Sequence, residues 1–570
     1  MIFSGRFDGQ ELLVDRGDAY SFGPYELLGS ISLFRRDELT DRIGIRHAEI
    51  GNFSDHQLVL MSYAKWGKSV FQYLEGAWAF VLYDKKESIL LLARDPSENS
   101  SLFYICQSEC LYFSSDNQYF RTCTSLQLEI DTNELIALCN RLVGINPGKT
   151  IFKQLFHVLP KEYVEFTKQL QDKRIKYIQS KNQSIQFKYE KDYFIHFRSL
   201  MADAIMTRIK GRKSIGVFLS SGLDSSTVFA FLNIGRDTHQ KINTYTSVPS
   251  YINEDDNIDL VSEEPLVREG LKKISNVDSA FLQCGDAMFN KQIEAIAVHQ
   301  FFHPIVHSNG FWIEGILKES LKDGVDLMLT GQMGNYSISF SGDIPSLSFS
   351  FLKTFKYLWN KVFGRYYYCN EQWKYCIVHD HLLHDFMHSA PHRNAHILGY
   401  DFYSSVSTYR KVVFEKLHCF VSTYWSLLSQ LHGVCVLDPT ADMSIANYLS
   451  AIHSKFFYRQ RIAKYLLKQS MKGIVYDKIL FNPYPKAQTA DLGTRLKNEN
   501  FLSEKVDFLV EKYRYSNFFD VRKLKSVHEA LISTKSRGKQ HVLGFHLLYM
   551  ISIMMFYEGY RETGDGRGKV

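Results

Sequence analysis

The segment Leu219-Ser220-Ser221-Gly222-Leu223-Asp224-Ser225-Ser226 decides how this sequence is read. The apolar run Ile215-Gly216-Val217-Phe218 precedes it, and Thr227-Val228-Phe229-Ala230-Phe231-Leu232 follows. That order predicts a buried strand, a tight loop of small residues and a helix, the β-loop-α unit of a nucleotide-binding α/β domain. At such a junction the main chain can approach an anion closely, and the helix N-terminus offers free N–H groups carrying partial positive charge. Ser220, Ser221, Ser225 and Ser226 add hydroxyl donors. The chain contains no G-x-x-x-x-G-K-[ST], so this is not a Walker loop. Asp224 would repel phosphate unless a divalent cation sat between them, because hard cations take carboxylate and phosphate oxygens together. The loop therefore reads as a site for a pyrophosphate with its Mg²⁺; an ordinary Ser/Asp helix cap is the competing reading.

Composition sets the frame around this loop. The chain has 570 residues with 67 Lys plus Arg against 61 Asp plus Glu, a net charge of +6. Spread over so large a surface, that charge gives no case for a nucleic-acid partner. With 45% apolar residues the chain can fill the cores of several domains. The nine cysteines are irregularly spaced without a CxxC pair, which predicts reduced thiols, not a disulfide framework or zinc knuckle. The first residues show no basic start followed by an apolar core, so the expected location is cytoplasmic. Val542 to Tyr557 is shorter than the roughly 18–20 residues that span a bilayer and contains His546 and Ser552, so it is expected to be a buried C-terminal helix, not a membrane segment.

Two regions differ in pattern. Residues 1–170 read as short β runs between polar turns. Gln57–Tyr63 lies in a helix, and Ala77–Tyr83 and Ser88–Ala93 form a buried strand pair joined by Asp84-Lys85-Lys86-Glu87. The charged, amide-rich stretch around 166–190 marks a linker or edge ribbon. Residues 190–570 begin with an amphipathic helix over Asp192–Ile209 and continue through the loop quoted above. No internal repeat or low-complexity tract is present.

Ser220-Ser221-Gly222-Leu223-Asp224-Ser225 resembles the S-G-G-x-D-S pyrophosphate loop of the asparagine synthetase family, whose members activate a carboxylate as its AMP ester. Further segments agree in order. Thr244-Tyr245-Thr246-Ser247-Val248-Pro249 with Glu263-Glu264-Pro265 resembles the second strand and the acidic helix start. Leu329-Thr330-Gly331-Gln332-Met333-Gly334-Asn335 resembles the third nucleotide loop, and Leu437-Asp438-Pro439 with Asp442 a fold-stabilising region. Arg461 to Ile479 followed by Pro485-Lys486-Ala487-Gln488 is similar to the C-terminal basic segment.

The resemblance implies that Leu219, Ser247, Thr330 and Gly331 line the adenosine pocket of an ATP site. It implies that Ser220, Ser221, Gly222, Asp224 and Ser225 hold pyrophosphate and Mg²⁺. Lys486 would stabilise the charge that develops on the AMP ester or tetrahedral intermediate, and a solvated loop lysine is the alternative. Gln332 stands at a position that is carboxylate in asparagine synthetases and a dyad tyrosine in β-lactam synthetase, and Asn335 where an acidic metal ligand is usual. An amide oxygen can still ligate Mg²⁺, with less Coulombic attraction. Gln332 cannot act as a proton acceptor in the manner of a phenol. The candidate catalytic residues are therefore Lys486 and Gln332, and the candidate metal ligands Asp224 and Asn335.

The first domain also resembles this family. Ser54-Asp55, Tyr63-Ala64-Lys65-Trp66-Gly67, Leu74–Asp84 and Leu92-Ala93-Arg94-Asp95-Pro96 follow the glutaminase-type pattern. That pattern implies an Ntn-type α-β-β-α sandwich preceding a PP-loop synthetase domain, an α+β and an α/β unit in one chain. The working nucleophile of such glutaminases is an N-terminal cysteine. Here the sequence reads Met1-Ile2-Phe3-Ser4-Gly5, the first cysteine is Cys106, and Asp55 alone remains of the glutamine-binding set. An inactive glutaminase domain is expected, so the attacking nitrogen would come from another molecule or from the substrate itself, as in β-lactam synthetases and lasso peptide cyclases.

Residues 343–430 form an insertion. Leu352, Phe355, Trp359 and Val362 make one apolar stripe beside Lys353, Lys356, Lys361 and Arg365, a helix packed on its own domain or a docking face. His381, Asp385 and His388 share a helical face, read as polar in preference to zinc-binding. The expected function is an ATP- and Mg²⁺-dependent carboxylate–amine ligase acting on a peptide or amino-acid substrate, with a precursor peptide or companion biosynthetic protein as partner. Ammonia-dependent asparagine synthesis and a non-catalytic partner role are the alternatives.

Overall fold

The computed structural model describes residues 2–123, 125–140, 148–178, 184–237, 240–252, 258–284, 309–340, 374–388, 406–483, 489–498 and 500–563. The first 178 residues contain strands β1 (Ser4–Phe7), β2 (Leu12–Arg16), β3 (Ala19–Phe22) and β4 (Tyr25–Leu33), then helix α1 (Asp55–Trp66). Strands β5 (Gly76–Asp84), β6 (Ile89–Arg94), β7 (Phe103–Gln107) and β8 (Cys110–Ser114) follow, then α2 (Thr132–Cys139), β9 (Phe156–His157), β10 (Glu162–Thr167) and β11 (Asp172–Lys176). They pair antiparallel into two sheets, ordered β2-β1-β8-β7-β9 and β11-β10-β6-β5-β4-β3.

The two-residue period of β5 and β6 explains the layering. Ala79, Val81, Tyr83, Leu90 and Leu92 pack between the sheets against Phe7, Leu111 and Phe113. Trp78, Phe80, Leu82 and Leu91 face Leu58, Leu60 and Tyr63 of α1. A strand buried on both faces lies between two layers, and that is why these runs are apolar at every position. Helix α1 starts where Ser54 and Gln57 form a reciprocal capping box. On the far side of the sheet that carries β7 and β8, Phe103, Ile105 and Tyr112 pack with Leu135 and Ile136 of α2. The result is the expected α-β-β-α sandwich. Strand β11 lies beyond residue 170, and Tyr177 is buried in the same core, so this layer system closes near residue 178.

The second domain begins with α3 (Glu190–Ile209), β12 (Ile215–Phe218), α4 (Leu223–Gly235), β13 (Ile242–Ser247), α5 (Glu264–Leu271) and β14 (Val277–Leu282). It continues through α6 (Gly310–Lys322), β15 (Leu327–Leu329), α7 (Asp380–His388), α8 (Val406–His432), β16 (Cys435–Leu437) and α9 (Met443–Ala451). The five strands are parallel, in the order β14-β13-β12-β15-β16. Helices α3 and α4 cover the face carrying Ile215, Val217, Leu327 and Leu329. Helices α6 and α8 cover the face carrying Phe218, Tyr245, Met328 and Val436.

After α9 come the hairpin strands β17 (Tyr458–Arg459) and β18 (Ile462–Ala463), then α10 (Tyr465–Met471), α11 (Leu492–Asn498) and the long α12 (Arg537–Thr563). Helix α12 is long and apolar enough to cross a bilayer, yet 72% of its apolar window is buried within the fold. Leu547, Met550, Ile551 and Met554 join the core that also holds Ile136 of α2, and Tyr549 donates to the Leu138 carbonyl at 2.6 Å. Its apolarity serves a contact between the two domains. The stripe over 352–362 and the basic residues beside it lie outside the described residues. On α7, His381 and Asp385 are exposed, and no group of three metal-ligating side chains occurs among the described residues.

Buried polar groups also cross the domain boundary. The sealed Arg94 guanidinium donates to Ser422 Oγ at 2.8 Å and Thr423 Oγ1 at 3.0 Å. Glu98 pairs with Arg208 of α3, whose other nitrogen reaches Asp442 at 3.0 Å. Burial, only partly offset by a guanidinium shared between two carboxylates, raises Glu98 to about 7. The unfolded glutamate ionises near 4.5, so folding takes up a proton between these values. The stabilisation from this proton is complete below 4.5 and is lost as pH rises through 7. Glu98→Gln removes the titration, so the thermal midpoint of the variant should fall less than that of the native protein between about pH 5 and about pH 7.5. Parallel pH profiles for the two proteins would refute this assignment.

Candidate functional site

Strand order reverses between β12 and β15, so their connections depart to opposite sides of the sheet and leave a crevice beyond their C-terminal ends. Both motif loops open into it. A cavity of about 630 Å³ there is lined by the Ser220–Ser225 loop, by Thr330, Gly331, Gln332 and Asn335, and by Ser247 at the end of β13. It also reaches Glu263, Lys464 and Lys468.

The first loop is braced from within. Ser220 N–H donates to Ser225 Oγ at 3.1 Å, the two hydroxyls lie 2.8 Å apart, and Gly222 N–H donates to Ser220 Oγ at 3.1 Å. Helix α4 has Gly222 as its N-cap and no side-chain cap bond, so its first N–H groups remain available to an anion. Ser221 is held differently from the other loop serines. Its N–H donates to Glu263 Oε2 at 2.8 Å, and its hydroxyl donates to the same oxygen. Glu263 thus ties the loop to the start of α5, and Ser221 is engaged by protein.

Asp224 is wedged into the third loop. An added Cβ on Gly334 would lie 2.2 Å from Asp224 Cγ, and one on Gly331 3.0 Å from the Asp224 main chain. Asp224 Oδ2 accepts from Ser339 Oγ at 3.0 Å, and Ser339 Oγ also lies 3.4 Å from Asn335 Oδ1. Asp224 Oδ1 is sealed from solvent and has no hydrogen-bond partner among the described residues. Burial raises this carboxyl to about 6, against the opposing pull of Lys464 and Ser339. A buried orphan carboxylate oxygen beside an amide oxygen is a donor set that fits a hard divalent cation.

The third loop is fixed in turn by Asp438, which accepts from Met333 N–H at 2.7 Å and from Thr440 N–H at 2.9 Å. Thr330 N–H donates to the Leu437 carbonyl at 3.0 Å, and Leu219 N–H to that of Tyr245 at 2.9 Å. These bonds set the strand tips that carry the expected adenosine contacts.

Two cations at this site lie within the basic segment Arg461 to Ile479, although the sequence does not single them out from its other residues. Strands β17 and β18 form a hairpin whose turn residues Gln460 and Arg461 are both left-handed, at φ 50° and 63°, and Lys464 follows at φ 60°. Without Asn or Gly the turn gave no signal in the sequence, and left-handed side-chain-bearing residues concentrate at functional sites. The hairpin places Lys464 at the head of α10 with Lys468 one turn later, both lining the cavity. Burial, with Lys464 adding to it, lowers the Lys468 ammonium. Lys486 lies outside the described residues.

In the first domain, β1 carries no thiol at the position of the glutaminase nucleophile. Phe3 is buried, its N–H donates to Ser115 Oγ at 3.1 Å, and its carbonyl accepts from Ser115 N–H at 3.0 Å. Cys106 and Cys110 flank the β7–β8 turn near Asp8, past the opposite end of β1. Asp55 is engaged inside the fold, accepting from Leu33 N–H at 2.9 Å and pairing with Arg36 at 3.1 Å.

A family model described as a glutamine amidotransferase domain matches residues 31–178, and one described as asparagine synthase matches residues 196–335. The chain belongs to the asparagine synthetase family. Curated relatives of this asparagine synthetase-family protein include asparagine synthetase [glutamine-hydrolyzing] 3 of Bacillus subtilis, 26% identical over 212 residues, 37% of this chain and 34% of that one. A putative asparagine synthetase [glutamine-hydrolyzing] 2 of Methanocaldococcus jannaschii is 25% identical over 232 residues, 38% and 45% respectively. Amidase chyE of Penicillium rubens is 26% identical over 222 residues, 38% and 32%. The matches thus span from just under a third to just under half of the relatives' lengths. A solved glutamine phosphoribosylpyrophosphate amidotransferase from Bacillus subtilis covers 45% of this chain and 53% of its own at 13% identity, with a TM-score of 0.20, too loose to bear on the fold.

Gly334 has an ordinary backbone conformation, so the space taken by Asp224, not its φ angle, makes glycine necessary there. In this asparagine synthetase-family site, Gly334→Ala should cost about 1–3 kcal/mol in a denaturant titration as the carboxylate or the loop is pushed aside. An unchanged midpoint would show that the wedge is slack.

Proposed function

We propose that the protein is an ATP-dependent carboxylate–amine ligase that closes an amide or lactam on a peptide or amino-acid substrate. The observation that carries this reading is the uncapped N-terminus of α4 at the strand-order reversal, facing Lys464 and Lys468, with the orphan Asp224 Oδ1 beside it. An oxygen of the substrate carboxylate attacks the α-phosphorus of ATP, the bond to the β-phosphate breaks, and pyrophosphate leaves with the electron pair. The amine nitrogen then attacks the acyl carbon, the bond to AMP breaks, and the amine proton passes to solvent. The chain's own contribution is to hold the leaving pyrophosphate against the α4 N–H groups and the two lysines, where fixed charge favours the developing anion. Asp224 and Asn335 would hold a Mg²⁺ that shields phosphate charge.

The thiol-free β1 supports an amine source other than glutamine hydrolysed in the first domain. The neutral Gln332 and Asn335 favour a second reading, a family member that binds nucleotide weakly and serves as a partner in a biosynthetic complex. Ammonia-dependent asparagine synthesis is the remaining ligase variant, tested with aspartate and ammonium as sole substrates.

Calorimetry with Mg·ATP is expected to show saturable binding that requires the metal, and Asp224→Ala should abolish it while the protein stays folded. Metal-independent or absent binding in the native protein would favour the partner reading. Incubation with glutamine should release no glutamate, and release at any appreciable rate would overturn the assignment of an inert first domain.

A further inference from the structure

The cavity straddles the sheet, and its two ends differ in chemistry. Lys464 and Lys468 belong with α10, whose Leu466 and Leu467 pack into the core on the α3–α4 face. Phe218, Trp312, Ile316 and Trp425 line the cavity from the opposite face and belong to the core beneath α6 and α8. Phe218, the last residue of β12, lines that end. Its ring centroid lies 5.4 Å from that of Trp425 at 67° and 6.3 Å from that of Trp312 at 68°, both edge-on. Trp312 Nε1 is 3.3 Å from Asn309 Oδ1, which also accepts from Thr489 Oγ1 at 2.9 Å, so this ring is held in place.

We propose, on the basis of the ligase reading above, that this aromatic end selects an acyl donor bearing an aryl or comparably bulky apolar group, with its carboxylate at the strand tips beside Ser220 and Thr330. Among the described lining residues the cations are Lys464 and Lys468, both on the other face of the sheet. A donor with a second charge, such as aspartate, would leave that charge desolvated against indole and phenyl rings, which costs several kcal/mol unless it is paired. An apolar ring entering the same space gains about 25 cal/mol per Å² removed from water and keeps the edge-to-face contacts that rings prefer. The phosphates are drawn to the cationic end and adenosine is expected at Leu219, Ser247, Thr330 and Gly331, so the group left for the aromatic end is the one attached to the reacting carboxylate.

Trp425→Ala tests the proposal on the full chain. Binding of 3-phenylpropanoate and of L-aspartate to the ATP-saturated protein is measured by calorimetry, and ATP–pyrophosphate exchange is followed with the same two acids. The native protein should bind the aryl acid at least about tenfold more tightly than aspartate. The variant should lose about tenfold of that preference while its affinity for Mg·ATP stays within about twofold. Trp425→Leu, which keeps a buried apolar side chain, provides the same comparison if the alanine variant melts early.

Equal or better binding of aspartate would overturn the proposal. So would a variant that loses Mg·ATP affinity and leaves the acid preference intact, since the rings would then belong to the nucleotide base. Selective aryl-acid binding without exchange would keep this inference as a binding site and count against the ligase reading instead.

Discussion

Everything at the candidate site follows from one topological constraint: the parallel sheet reverses its strand order between β12 and β15. Connections leaving the two strands go to opposite faces, so no helix can cover the strand ends between them, and a crevice opens there. The free N–H groups of α4 and the third loop both face this gap. What converts a gap into a site is the way the two loops are pressed together. Asp224 fits because Gly331 and Gly334 lack side chains, and Ser339 closes over one of its oxygens while the other remains bare. A carboxylate held this way is poorly solvated, and a nearby cation relieves that condition.

The loops are not held by the second domain alone. Asp438 fixes Met333, Asp442 takes a nitrogen of Arg208, and Arg208 reaches Glu98 from the first domain. Asn99 adds a hydrogen bond to the Val436 carbonyl at 2.8 Å, on the strand that leads into Asp438. Together with α12, which fills a core shared by both domains, these contacts make the glutaminase-like sandwich a structural wall of the synthetase domain. That explains how the domain can be retained without a thiol on β1: its removal would expose a large apolar face, take Glu98 from Arg208, and strip Ser422 and Thr423 of the Arg94 guanidinium.

Much of the fold was legible because its signals are local. The alternation in β5 and β6, the Ser54–Gln57 box and the strand-loop-helix sequence around Gly222 each depend on residues a few positions apart, which fix period, cap and turn. The competing reading of the loop as an ordinary cap gave way because α4 has no side-chain cap bond, which leaves its N–H groups open. Ser221 shows the opposite limit. Its hydroxyl looked like one more phosphate donor, and only a glutamate 42 residues away decides that it is already engaged.

Read alone, the sequence determined the two-domain architecture, the position of the serine-rich loop between β12 and α4 and the lack of a cysteine on β1, since these are properties of short stretches of chain. Tertiary structure decided which side chains meet there. Ser339 joins Asp224 across 115 residues, and Asp438 joins Met333 across 105. Lys464 and Lys468 are placed at the start of α10 by a hairpin whose turn residues gave no turn signal, and Trp312 and Trp425 come from two helices on the opposite face of the sheet. Such meetings depend on how layers stack and where strand order reverses, and no local period encodes either.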